Sequence, residues 1–367
     1  MGEAHAGQTV ALAGISANPG ERMGADCGLE APETVPLMSV QVEPVEPLTQ
    51  STLLMHLREL EEEDPLLSVR PEAEGVSVGV MGAVQVEVLQ GVLAPRFGDR
   101  VRMLPPHVLY KETIDAPVVG IGHYEPLRHY AEVWLRLEPG APGSGVMFTA
   151  DCPPNSLDEN WKRLIRTHVF EREHPGVLTG SPLTDVHVRL IAGRAHLKHT
   201  EGGDFREATC RAIRNALMQA ENVLLEPVVR FELAMPSGAL ARVTGELLRI
   251  GAQLDASETD GEETTLTGAC TAAMFWDYPT KFAASTRGHG RIASWFYRYE
   301  PCKNQAEVVQ KLGYDALADV QNPPGSVFCS HGAGFYVAWD HVRDWAHCEA
   351  EVGEGDSGAL LHAPAGN

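Results

Sequence analysis

The chain has 367 residues, 44% of them apolar, with a formal net charge of −21 and seven scattered cysteines. That length gives roughly two to four domains with cores of their own, and no apolar run is long enough to span a bilayer. Acidity this strong excludes general affinity for nucleic acid, and cysteines odd in number with no Cys-x-x-Cys pair read as reduced thiols of a cytoplasmic protein.

Residues 1–47 carry little pattern beyond Thr9 to Leu12, Gly14 and Pro19-Gly20, which suggest the closing strands of a partial β-barrel. Met1 to His5 has no cationic segment followed by an apolar one, so no secretory signal is expected. From Ser51, a capping residue, Leu54, Leu57 and Leu60 predict one helical face that Asp64-Pro65 ends. Strands are predicted at Leu67–Arg70, Val76–Val80 and Arg100–Leu104, with a helix at Ala83–Leu93. Next come strands at Tyr130–Leu137 and Gly145–Ala150, a helix near Asp158–Glu173, and an alternating run from Val186 to Ile191. Residues 228–301 then repeat the earlier order. They give a strand at Val228–Leu233, a helix to Ile250, strands near Ala252–Glu258 and Thr264–Ala272, a helix near Phe275–Ser285 and a strand at Ile292–Tyr299. Both repeats fit a split βαβ unit, an antiparallel sheet covered on one face by two helices.

The charge is uneven. Residues 113–229 hold 12 Lys and Arg against 15 Asp and Glu, and the remainder holds 17 against 35. Within the less acidic third lies the loop Gly193 to Gly203, whose Arg194, His196, Leu197, Lys198, His199 and Thr200 form an exposed cationic tip between a strand and a helix. Lys162, Arg163 and Arg166 on one helix and Arg206, Arg211 and Arg214 on another are candidate supports for an anionic partner. Arg287, His289 and Arg291 around Gly288 and Gly290 make a second candidate anion turn, although a helix-to-strand connection needs glycine anyway.

Enzymatic motifs are absent or unconvincing. No Gly-x-x-x-x-Gly-Lys-Ser/Thr occurs, and none of the six lysines follows a glycine, so this chain alone is expected to bind no nucleoside triphosphate. His347 and Ser357 sit in strings resembling trypsin-like protease motifs, but ten residues cannot span the two barrels of that fold. Cys329, His331, His347 and Cys348 lack a usual zinc spacing, so no metal is expected; a packed element holding Phe328, Phe335, Trp339 and Trp345 explains them better.

The ordered succession of segments resembles a known family. Glu63-Asp64-Pro65, Val80 to Val88, Leu224-Leu225-Glu226-Pro227, Arg287-Gly288-His289-Gly290 and Tyr299-Glu300-Pro301-Cys302 are similar to strings of the C-terminal half of translational GTPases. The likeness is to the end of domain II and domains III, IV and V of elongation factor G and the tetracycline ribosomal-protection proteins. It implies an α+β multidomain fold. Residues 1–47 would be a partial domain II barrel, 48–112 a ferredoxin-like domain III, 113–227 a central α/β lever (domain IV), 228–302 a ferredoxin-like domain V, and 303–367 a partly disordered extension. It further implies a monomer that contacts the ribosome through 16S and 23S rRNA and ribosomal proteins, not a membrane. No cofactor is expected in this chain, and GTP and Mg2+ would serve only a full-length factor. At the tip, Ala195-His196 and Leu197-Lys198 stand where the protection proteins carry an aromatic pair and a Ser-Pro segment. RNA contact is therefore implied, with tetracycline release or translocation both open as the output. The alternative is a non-ribosomal protein-interaction module that keeps the same fold.

Overall fold

A computed structural model describes residues 36–72, 75–152 and 156–348, together with 5, 7–10 and 14. The chain forms two compact units, one from Met1–Leu109 with Val229–Phe296, the other from Tyr110–Val228 with Tyr297–Asn367.

The first unit opens with β1 (Met38–Pro44), α1 (Gln50–Glu63), β2 (Arg70–Pro71), β3 (Val76–Val80), α2 (Ala83–Phe97), β4 (Val101–Met103) and the short β5 (His107–Val108). Their sheet runs β2-β3-β1-β4, with β1 antiparallel to both β3 and β4, which is the split βαβ topology. Met38, Val40 and Val42 alternate inward and are buried, which makes β1 a central strand. Residues 38–44, expected in a barrel, therefore belong to this sheet, and no closed barrel is seen among the described residues. Most of the remaining barrel segment lies outside them. Helix α1 starts two residues earlier than expected, because Thr49 rather than Ser51 caps it by accepting from Thr52 N at 3.3 Å. Its buried face is Leu53, Leu57 and Leu60.

The second unit begins with β6 (Lys111–Ile114), β7 (Val118–Tyr124), β8 (Ala131–Pro139), β9 (Val146–Ala150), α3 (Glu159–Phe170), β10 (Val186–Ala195) and α4 (Gly202–Gln219). A second split βαβ sheet, whose residues 229–296 belong to the first unit, is formed by β11 (Asn222–Pro236), α5 (Leu240–Arg249), β12 (Gln253–Asp260), β13 (Glu263–Thr271), α6 (Ala272–Phe275), α7 (Tyr278–Ser285) and β14 (Arg291–Pro301), in the order β12-β13-β11-β14. The chain ends in α8 (Gln305–Leu312), β15 (Ser326–Ser330), β16 (Ala333–Val337) and α9 (Val342–Trp345).

The segment after residue 303 is structured through Cys348 and belongs to the second unit. Its hairpin β15–β16 joins β7, giving a six-stranded sheet β16-β15-β7-β8-β10-β9. Buried Phe328 packs with Val119, Ile121 and Trp134, and Phe335 meets Trp345 edge-on at 5.0 Å, so Phe328, Phe335 and Trp345 pack as expected while Trp339 is half-buried outside that cluster. The expected disorder of the tail falls on residues outside the described set.

Candidate nucleic-acid interface

The loop between β10 and α4 is built from its base outward. A capping box starts α4: Glu201 and Asp204 each accept from the other's backbone N–H. Asp204 also contacts His129 Nδ1 at 2.8 Å, which ties the helix start to the β7–β8 connection. Thr200 Oγ1 donates to Tyr130 O at 2.6 Å and accepts from His196 N at 2.7 Å, and His196 O accepts from the N–H groups of His199 and Thr200. His196 and His199 stack with ring centroids 4.5 Å apart, and Lys198 N donates to His196 Nδ1. This turn has fixed geometry, and it leaves Arg194, His196, Lys198 and His199 exposed while Leu197 projects fully into solvent at 105% relative exposure. Among the described residues neither Arg194 nor Lys198 has a carboxylate partner; Arg194 Nη1 donates only to His347 O at 3.4 Å. An unneutralised cationic tip in an acidic chain is therefore what the folded loop presents.

The supporting cations divide. Arg163 and Arg166 are exposed on α3. Arg206 is exposed but paired with Glu171 at 2.6 Å, a contact that with His168 holds that carboxyl down to about 2. Lys162 is buried along its stem and bonded to Glu159 at 2.8 Å. Arg211 and Arg214, candidate supports only if they faced outward, are buried instead. Arg211 Nη1 donates to Gly325 O at 2.8 Å, and Arg214 donates to the carbonyls of Pro175, Gly176 and Ala316 and to Tyr314 Oη. Their Nη groups are taken up by these acceptors and, for Arg211, by Glu207, while each Nε is buried, so they fasten the C-terminal segment to α4 rather than meet RNA. Arg214→Gln is expected to cost about 2 kcal/mol in urea unfolding, by stranding three carbonyls. The salt dependence of any RNA binding by this variant should match the wild type.

Arg287, His289 and Arg291 lie in the first unit, exposed, with Arg291 paired to Glu263. The glycines between them are structural: Gly288 has φ +79°, and a Cβ on Gly290 would sit 2.6 Å from the buried Phe282 ring.

A buried polar cluster beneath the tip was missed by sequence reasoning. Glu132, fully buried on β8, accepts from His123 Nδ1 at 2.7 Å, Trp134 Nε1 at 2.8 Å, His347 N at 2.8 Å and Cys348 N at 2.7 Å. Burial pushes this carboxyl up, but the bonds from His123, the His347 backbone and Trp134 outweigh it and hold it at about 2. His123 also meets Glu125 Oε2 at 3.1 Å and stacks on Phe328 at 4.0 Å. Burial beside Glu132 pushes the Cys348 thiol up to about 12, so it is inert at neutral pH.

Ligand atoms of His123, Glu132 and His347 lie within 4.8 Å of one another, the one such group among the described residues. Both Glu132 oxygens are already occupied by donors, so this is a hydrogen-bonded anchor for the C-terminal segment rather than a ligand set awaiting an ion. Cys329 and His331 are not part of it. Ser357, the other half of the protease-like string, lies outside the described residues. No helix among the described residues is long and apolar enough to cross a membrane.

Comparison with known proteins matches this architecture. Residues 106–221 fit the family model of elongation factor G, domain IV, and residues 223–309 that of the elongation factor G C-terminus. The tetracycline resistance protein TetP of Clostridium perfringens is 29% identical over 287 residues, covering 77% of this chain and 44% of TetP. A crystal structure of ttk003000868 from Thermus thermophilus has the same fold with a TM-score of 0.64 at 23% identity, covering 80% of this chain and 45% of that one. The chain thus spans less than half the length of these relatives. Residues 106–309 belong to the elongation factor G family, as its domain IV followed by its C-terminal domain.

Proposed function

We propose that this chain is the ribosome-contacting region of a translation factor of the elongation factor G and ribosomal-protection type. The β10–α4 loop is the part that enters the ribosomal decoding region. The observation that carries this reading is the tip itself: Arg194 and Lys198 are exposed, without carboxylate partners, on a loop pinned at its base by Thr200 and the Glu201–Asp204 capping box. In this reading the domain acts as a lever. It supplies position and electrostatic contact, while GTP and Mg2+ belong to a GTPase domain outside residues 1–367. The alternative outputs, release of tetracycline and translocation, use the same contact.

Sedimentation of the chain with 70S ribosomes over a salt series tests the reading. Phosphate contacts release counterions, so log affinity should fall linearly with log salt. Arg194→Glu combined with Lys198→Glu should weaken binding at least tenfold and flatten that slope by roughly 2, about one per lost contact. Binding unchanged in the double variant would overturn the tip assignment.

A further inference from the structure

An open cavity of about 590 Å3 lies between the tip loop and the end of the C-terminal segment. One wall is Arg194, His196 and Lys198; the other is His347, with Tyr130 and Glu125 also lining the cavity. The geometry points to this cavity as the seat of one unstacked nucleotide of an RNA strand, with its phosphate on Arg194 and Lys198 and its base against Tyr130 and His347. This inference rests on the reading of the tip as an RNA contact, and it assigns the C-terminal segment a share in that contact.

Three features favour such an occupant. The volume falls in the range of small-molecule sites, and the cavity opens to solvent, as a strand continuing on both sides requires. Its two kinds of wall match the two halves of a nucleotide: unpaired cations suit the phosphate, and the exposed His347 ring, backed by the buried Tyr130, suits the base. The rings of Tyr130 and His347 lie nearly parallel, 11° apart with centroids at 5.9 Å, and Tyr130 Oη meets His347 Nδ1 at 3.1 Å. Burial raises the Tyr130 phenol and lowers the His347 imidazole, so both present neutral hydrogen-bonding edges at pH 7. The one carboxylate on the cavity, Glu125, is tied to His123 Nε2 at 3.1 Å and offers an acceptor for an amino or hydroxyl group. Glu132 holds the backbone N–H of His347 from beneath, so the imidazole can be removed while its backbone anchor stays in place.

The test uses the full chain and a fluorescent seven-nucleotide RNA, either single-stranded or annealed to its complement, read by anisotropy. The wild type should prefer the single strand by about tenfold, because a duplex keeps its bases stacked. His347→Ala should lose about tenfold of single-strand affinity while keeping duplex affinity and the salt slope, since stacking is lost and phosphate contacts are not. His347→Gln, which keeps a polar edge but no ring, should behave in the same way. The Arg194→Glu, Lys198→Glu double variant should lose both affinities. Equal affinity of the wild type for single strand and duplex overturns the cavity assignment regardless of how the variants fold. That result leaves the ribosome reading to be decided separately by the sedimentation series. Conversely, single-strand preference without ribosome binding sinks the ribosomal reading and keeps the cavity. Binding of free nucleoside 5′-monophosphates as tight as the heptamer would identify a soluble nucleotide as the occupant and overturn the assignment to RNA.

Discussion

Gly122→Val is expected to prevent the second unit from reaching its native packing, with a loss of about 3 kcal/mol or more in urea unfolding. On β7, a Cβ added at Gly122 would sit 1.8 Å from Ala208 O and 2.6 Å from Ala212 N, and one at Gly120 would sit 2.0 Å from Ala212 O. These neighbours are backbone atoms of α4, which cannot swing away as a side-chain tip can. The two glycines are therefore what let the helix lie directly on the strand. Gly203→Ala, at a helical position with nothing within 4 Å of the new atom, is the control and should be neutral or slightly stabilising. A Gly122→Val protein that unfolds at the wild-type urea midpoint would refute the close-approach argument.

Glu132→Ala should cost about 3–5 kcal/mol, because it strips the acceptor from Trp134 Nε1, His347 N, Cys348 N and His123 Nδ1 in a buried site. Glu132→Gln should cost less: its amide nitrogen can donate to His123 Nδ1 if the ring changes tautomer, and its oxygen still serves Trp134 and Cys348. The pH profile gives an independent readout. The carboxyl is held at about 2, below its ordinary value of 4.5, so its contribution is present above pH 4.5 and is lost as pH falls towards 2. That window carries about 3 kcal/mol, which should disappear from the acid limb of the stability curve in the Gln variant. An acid limb identical in the two proteins would rule out this linkage.

Much of the fold was legible because it is periodic. The two split βαβ units, helix α3 and the tip loop all announce themselves by local spacing, but the expected strand Leu67–Arg70 is a 3-10 turn at Pro65–Leu67 followed by the two-residue β2, and the strand expected at Val228–Leu233 runs from Asn222 to Pro236. Strand β7 was not among the expected strands; the reason for its glycines at 120 and 122 is α4, some 90 residues away. The place of β1 was hidden for a similar reason, because its partners β3 and β4 lie far along the chain and an isolated alternating run fits a barrel equally well. For Arg211 and Arg214, helical spacing shows that they share a face but not what covers it, and the cover comes from residues beyond 303. The Glu132 cluster joins groups 215 residues apart, which no local window can register.

The parallel pairing of β15 with β7 has a consequence for how the molecule is made. His123 N reaches Ser326 Oγ across 203 residues, so the last partner of β7 is synthesised long after β7 itself. At about 5–20 residues per second, the nascent chain waits roughly 10–40 s with the Tyr124 end of β7 uncovered, while Asn215 and Gln219 of α4 bond Ile121 N and Val119 O further along the strand. An open margin of that kind is a template for pairing with other chains. Premature termination between α4 and β15 therefore yields a product in which the Tyr124 end of β7 and the buried Phe328 site are left without their cover.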